Sequence, residues 1–384
     1  KLNKSILSVN NYNKKISFKI INDNFPNAFV TKEDFLYISS GLLINAPDYI
    51  ALLAVLAHEI GHIENHHVKQ RKTEIDNLKN INSFGNILAI AGSMIIQEPD
   101  IINTVAFNNT VMKNSYLNFS KDQEREADIY AANTLNKLDL PTKSVFDFLK
   151  ILEIKTKFNQ IDDELKKFST HPLFEERYQI LKHKENNNNV ANFDYDIQNE
   201  FNFIKAKFMA YTNQESQNKL SGDSKVYFQS IKLALSGNLL DSLKKLNSLI
   251  LKKNDNFFLL ETKADILLSF GYENEAIKFY KQVLKKHPNN DYIRFNIFTK
   301  SNYSNQNNID IEEIFINNLH LIKLFPYNRD LLNEYYYLAN NLKKKEWIKF
   351  FEILLSNIDQ TKELNELYFK TEDSNLKKII KIYI

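Results

Sequence analysis

Cysteine is absent from this chain of 384 residues. That excludes a disulfide framework and every zinc site built on thiolates. A thiol-free chain suits an oxidising compartment without requiring one. Long apolar runs are missing too. No stretch reaches the roughly 18–20 residues that a membrane-spanning helix needs. The nearest is Phe84 to Ile96, FGNILAIAGSMII. It reads as a core helix; the alternative is a helix in peripheral contact with a membrane surface or at the mouth of a site. Charge of one sign is not in excess either. The balance is 50 basic against 47 acidic residues, net +3, spread along the chain, which argues against a nucleic-acid partner. The chain opens at Lys1, with no charged segment leading into an apolar one. The expectation is therefore a mature or trimmed form whose signal peptide has been removed. What is present is ordinary for globular protein, 43% hydrophobic and 25% charged, and the length allows two or three domains.

Residues 16–44 read as strands. Ile16 to Ile21 alternates, Phe35 to Ser39 is rich in β-formers, and Asn24-Phe-Pro-Asn27 between them is turn chemistry. From Asp48 the period becomes helical, with helices expected near 48–80, 84–97, 120–138, 142–157 and 173–184. Asn186 to Asn189 is a polar tract without period and marks a boundary. A helix resumes near Ile197 and reaches about Tyr211. The rest repeats: aligning Gly237 with Gly271 gives a spacing of 34 residues and pairs Ser242 with Ala276, Leu246 with Tyr280 and Leu249 with Val283. That helix-turn-helix period is the tetratricopeptide signature. The copies run about 223–256, 257–290 and 291–328, the third with an insertion. In the second, Gly271 and Ala276 are read as small residues that let two helices approach, Tyr280 as filling the groove and Pro288 as ending the second helix. Such units cannot bury a face alone, so a stacked solenoid is expected. The domains are thus 1–185, a linker with a connecting helix at 186–222, and 223–384.

Chemistry concentrates in His58-Glu59-Ile60-Gly61-His62, which closes the apolar run from Ala51 to Ala57. On a helix, i and i+4 share a face. Both imidazoles can therefore reach one metal ion, with Glu59 beside it as general base, the pattern of zinc peptidases. A hydrolytic zinc wants about three protein ligands and an open position. The third is best sought in Gln123 to Asp128, where Glu124 and Asp128 are again i and i+4. Glu124 would ligate and Asp128 would accept a hydrogen bond from a ligand imidazole. Glu126 points about 160° away from that face and is expected in solvent. Gly61 lets another backbone, or the metal, come close. His67 is expected behind the ligands or in a structural role, and His66 in solvent.

Together, SSGLL (39–43), LLAVLAHEIGHIENHH (52–67), EREADIYA (124–131) and STHPLFEER (169–177) resemble the gluzincin metallopeptidases of the prenyl-protein endopeptidase, HtpX and Oma type. The resemblance covers about 16–184. It implies one Zn2+ per chain, endoproteolysis, ligation by His58, His62 and Glu124, Glu59 as base and Asp128 behind a ligand. It also implicates His171, either stabilising the oxyanion or capping the open position of the zinc. Arg177 would anchor the His171 loop or contact Asp128. The strand around Tyr37 and Ile38 is expected as the edge on which an extended peptide adds. With no spanning helix and a C-terminal repeat array, the chain is similar to the periplasmic branch, the β-barrel assembly-enhancing proteases.

The fold expected is mainly α: a zincin-like α+β metallopeptidase domain with a small edge sheet, then an α-solenoid of tetratricopeptide-like helix pairs. The function expected is a periplasmic zinc endopeptidase cutting misfolded or stalled envelope proteins, membrane-associated or not, whose repeats hold unfolded substrate or an outer-membrane assembly complex. The competing reading is a repeat-based chaperone or adaptor with a silent metal site. A purely structural zinc, however, has no use for Glu59.

Overall fold

The computed structural model describes residues 2–13, 16–31, 35–67, 119–158, 175–183, 193–213, 220–253, 256–304, 306–356 and 360–384. The segment Phe84–Ile96, His171 and the helix expected at 84–97 lie outside the described residues. The chain forms two compact units, Lys1–Lys232 and Leu233–Ile384.

In the first unit, α1 (Leu2–Val9) is followed by β1 (Ser17–Ile21), β2 (Ala28–Val30) and β3 (Phe35–Ser39). The strand order is β1-β3-β2, with β3 parallel to β1 and antiparallel to β2. This corrects the expectation for Tyr37 and Ile38. Tyr37 is opposite Lys19 on one side and Phe29 on the other, and Ile38 is opposite Ile20 and Ala28. Their strand is the middle of the sheet, with both backbone edges paired, so it offers no edge to a peptide. The three-residue strand Ala28-Phe29-Val30 occupies the edge that the sequence reading left to β3. Side chains alternate as a pleat requires. Leu36 and Ile38 enter the main core, while Tyr37 stacks on Phe29 at 5.0 Å in a small cluster with Ile21.

Ser39 turns the chain from β3 into α2 (Ser40–Asn45). Its hydroxyl accepts from the backbone N–H of Leu42 at 3.0 Å and donates to the carbonyl of Phe25 at 2.7 Å. Then comes α3 (Tyr49–Glu64), which carries the metal motif. Asp48 caps it, accepting from Ala51 N–H at 2.9 Å, and also accepts from Ser144 at 2.6 Å. This helix is apolar on nearly every side and is buried on every side from Tyr49 to Leu53, as such a sequence demands. It ends at Glu64, with Asn65 as its C-cap, and His66 takes φ +59 and turns the chain off the helix axis; residues 68–80 of the helix expected over 48–80 lie outside the described residues. The helix α4 (Lys121–Lys137) begins with a capping box of Ser120 and Gln123 and packs along α3. Gly61 makes the close approach possible: a Cβ there would sit 3.1 Å from Tyr130 Cβ and 3.3 Å from the Ala127 backbone. After α5 (Lys143–Phe158) and α6 (Glu175–His183) comes α7 (Tyr195–Thr212).

The sequence reading made α7 a connecting helix, yet it belongs to the first unit's core. Phe201 joins the main cluster, Gln198 accepts from Tyr49 N–H at 3.1 Å, and Lys205 donates to the Ala46 carbonyl at 3.0 Å. The first compact unit extends to Lys232, inside α8 (Gly222–Leu235).

The second unit is helical throughout its described residues: α9 (Leu239–Lys252), α10 (Phe257–Ser269), α11 (Glu273–Lys286), α12 (Asp291–Lys300), α13 (Asn308–Asn317), α14 (His320–Leu324), α15 (Arg329–Asn341), α16 (Lys345–Leu355), α17 (Thr361–Lys370) and α18 (Ser374–Ile380). Helices α10 and α11 form the clearest pair. Tyr280 is fully buried between Ala264, Ala276 and Val283, and its hydroxyl donates to Asp265 at 2.7 Å. The turns at Gly237 and Gly271 share one conformation, φ +84 and +82. A Cβ at Gly271 would meet nothing within 4 Å. So Gly271 serves the left-handed turn, and the small residue that permits close approach is Ala276. Further along, Phe298, Phe315, Tyr335, Trp347 and Phe351 pack ring against ring into a second core.

Candidate metal centre

Helix α3 places His58 and His62 one turn apart, and α4 brings Glu124 against them. His58 Nε2 and His62 Nε2 are 3.1 Å apart. Glu124 Oε2 lies 3.4 Å from His58 Nε2, and Glu124 Oε1 lies 3.5 Å from His62 Nε2. An ion held tetrahedrally at about 2.0–2.2 Å sets its ligand atoms about 3.3–3.6 Å apart. The triangle therefore has the size that one such ion requires, and among the described residues these three form the group able to hold a metal.

Proton positions, assigned from the partners of each ring, agree. Asp128 Oδ1 accepts from His58 Nδ1 at 2.9 Å, which leaves His58 Nε2 with a lone pair. His62 Nδ1 faces His67 Nδ1 at 3.0 Å, and His67 Nε2 meets Glu126 Oε2 at 2.9 Å. With the Nε2 proton of His67 given to Glu126, its Nδ1 accepts from His62, and His62 Nε2 also carries a lone pair. Two lone pairs aimed at each other across 3.1 Å repel unless a cation lies between them.

Charge leads to the same conclusion. Glu59, Glu124, Asp128 and Arg177 are all at most 6% exposed. Among the described residues, three carboxyl groups face one guanidinium here, and a divalent ion would offset that excess of acidic groups; buried charges left unbalanced are costly. Burial by itself lowers the proton affinity of His58, but its bonds to Asp128 and Glu124 outweigh that and raise it. The field that favours a proton on this ring favours a metal ion as well. Burial also works against charge on Arg177, and Asp128, Glu124 and Glu59 more than restore it.

Each expected residue among those described can now be placed; His171 lies outside them. His58, His62 and Glu124 converge, Glu59 is buried on the same helix, and Asp128 receives His58. Arg177 on α6 grips Asp128 and lies 3.4 Å from Glu124. His67 is 1% exposed and sits behind His62, while His66 is exposed. Glu126 departs from expectation. Its side chain is 60% exposed but bonded to His67 rather than purely solvated. Phe119 was missed. Its ring stacks on His62 at 3.7 Å, 16° from parallel. Its partner lies on another helix, and the residue a hydrophobic staple would pair with it is Glu124, so no local pattern in the sequence announced the contact.

A glutamate between two histidines of one helix, with a carboxylate from a second helix closing the triangle, is the arrangement of the gluzincin peptidases. Residues 2–185 match the sequence profile of Peptidase family M48. A Vibrio cholerae protein provisionally named a beta-barrel assembly-enhancing protease is 28% identical over 182 residues, covering 45% of this chain and 35% of its own length. The beta-barrel assembly-enhancing protease of Escherichia coli K12 is 23% identical over 282 residues, covering 69% of this chain and 56% of its own. The chain thus spans between about a third and just over half of these relatives. No helix among the described residues is long and apolar enough to cross a membrane.

Proposed function

We propose that this chain is a zinc-dependent endopeptidase acting on unfolded segments of misfolded or stalled cell-envelope proteins, in the periplasm. The observation that carries the reading is the buried triangle of His58, His62 and Glu124 with Glu59 on the same helix. The family match over residues 2–185 and the names of the relatives support it.

His58, His62 and Glu124 would hold the zinc ion. Once bound, it supplies Lewis acidity: it lowers the pKa of a water and polarises the scissile carbonyl. Glu59 takes the proton as the water oxygen attacks the carbonyl carbon, and delivers it to the amide nitrogen as the C–N bond breaks. Asp128 keeps His58 in one tautomer, and Arg177 keeps Asp128 ionised. His171 in Ser169-Thr-His-Pro172 would stabilise the oxyanion or cap the metal at rest; its role rests on the resemblance alone. The helix pairs of the second unit, read as tetratricopeptide-like, would hold substrate or an outer-membrane assembly complex.

Glu59→Gln tests the assignment. With an unfolded protein as substrate, hydrolysis is expected to fall by about 10²–10⁴ while zinc stays bound. Unchanged hydrolysis would overturn the role of Glu59.

A further inference from the structure

The two imidazoles facing each other across the triangle are held by different means. His58 leans on Asp128, which is buried and clamped by Arg177. His62 leans on another imidazole. Position 67 follows His62 by five residues, which on a continued helix would place it about 140° around the axis from His62. It reaches His62 only because the helix stops. His66 takes φ +59, an uncommon conformation for a residue with a Cβ, and the chain folds back. His67 is then buried with Nδ1 3.0 Å from His62 Nδ1. Its far nitrogen is met at 2.9 Å by Glu126, whose carboxylate is in solvent. Glu126 comes from the same helix as Glu124, two residues on. Phe119 lies flat on His62, so the ring is fixed by a face contact and an edge contact together.

We infer that His67 and Glu126 are positioning residues for the metal ligand His62: Glu126 holds the His67 Nε2 proton, which obliges His67 Nδ1 to accept from His62 and leaves His62 Nε2 bare toward the ion. Glu126, on the protein surface, thereby acts on the metal through two imidazole rings in series. Partners that orient a ligand in this way typically contribute about 10–100-fold in metal affinity. The inference rests on the metal site proposed above.

The test is a double-mutant cycle on zinc affinity, measured on the full chain by competition with a chromophoric chelator. His67→Phe preserves buried volume and is expected to weaken zinc by about 10–100-fold. Glu126→Gln, one bond further out and at an exposed position, is expected to weaken it about 3–10-fold, with the unfolding midpoint of the metal-free chain unchanged. In the His67→Phe background, Glu126→Gln should do nothing more, because its only route to the metal is gone. Cobalt-substituted protein should show its visible bands shifted by His67→Phe, and by Glu126→Gln only while His67 is present. An equal effect of Glu126→Gln in both backgrounds would mean a through-space field and would overturn the relay, as would no effect in the parent chain. Failure of the parent chain to bind zinc would overturn the metal site itself, a result distinct from either.

Discussion

Arg177 holds Asp128 through two parallel hydrogen bonds, Nε to Oδ2 and Nη2 to Oδ1, each 2.8 Å long. Both side chains are buried, and Asp128 Oδ1 also receives His58 Nδ1 at 2.9 Å. Burial pushes the carboxyl up, but the guanidinium and the His58 bond hold it at about 2. A carboxylate this firmly ionised fixes the tautomer of the ring it faces.

Arg177→Ala leaves that buried charge without its guanidinium, with only the His58 hydrogen bond remaining. It is expected to destabilise the metal-free chain by about 3–5 kcal/mol and to weaken zinc. Arg177→Lys keeps the charge but loses the two-pronged geometry, so its loss should be intermediate. Urea denaturation of the metal-free variants checks both.

Two glycines separate two kinds of requirement. At Gly61 a methyl would press into Tyr130 and the Ala127 backbone. Gly61→Ala is expected to cost about 1–3 kcal/mol by overpacking and to weaken zinc, because the approach of α3 to α4 sets the distance between the histidines and Glu124. At Gly271 there is room for a methyl, but φ is +82. Gly271→Ala should cost about 1–2 kcal/mol through backbone strain and leave zinc affinity untouched. Denaturation with a zinc titration distinguishes the two.

Lys205 gives a pH signature. It is 3% exposed, and burial pulls its ammonium down from 10.5 to about 8, against the attraction of Asp48. Between those values the unfolded chain binds more protons than the folded chain, so this group's contribution to stability rises with pH, and below about 8 its penalty is fully present. Lys205→Met removes the slope. Denaturation at pH 7.5 and 9.5 should show the parent gaining stability relative to the variant at the higher pH.

Much of this was legible in the sequence because it is local. The i, i+4 spacing put His58 with His62 and Glu124 with Asp128, and the apolar run from Ala51 announced a buried helix. The 34-residue spacing of Gly237 and Gly271 located two turns that share one conformation. What was not legible depends on distant partners. The middle position of β3 follows from strand order, which residues 35–39 do not encode. The three residues of β2 were too few to show a period. Glu126 was assigned to solvent from its angle to Glu124, but its partner arrives from beyond the end of α3, where the turn at His66 could not be foreseen. Helix α7 was read as a connector because polar tracts flank it, yet Phe201 and Lys205 tie it to the first core.

Metal dependence of catalysis follows from the site. Chelation should abolish hydrolysis of an unfolded protein, and one equivalent of zinc should restore it, with the recovery followed against added metal. Glu59→Gln should take up the same equivalent without recovering activity.

The most direct measurement is the zinc content of the purified chain together with its X-ray absorption spectrum, for the parent and for Glu124→Ala. The account predicts one zinc per chain with two imidazole nitrogens and a carboxylate oxygen as protein ligands, and loss of that oxygen in the variant. A chain that takes up no zinc, or a spectrum unchanged by removing the Glu124 carboxylate, would contradict it.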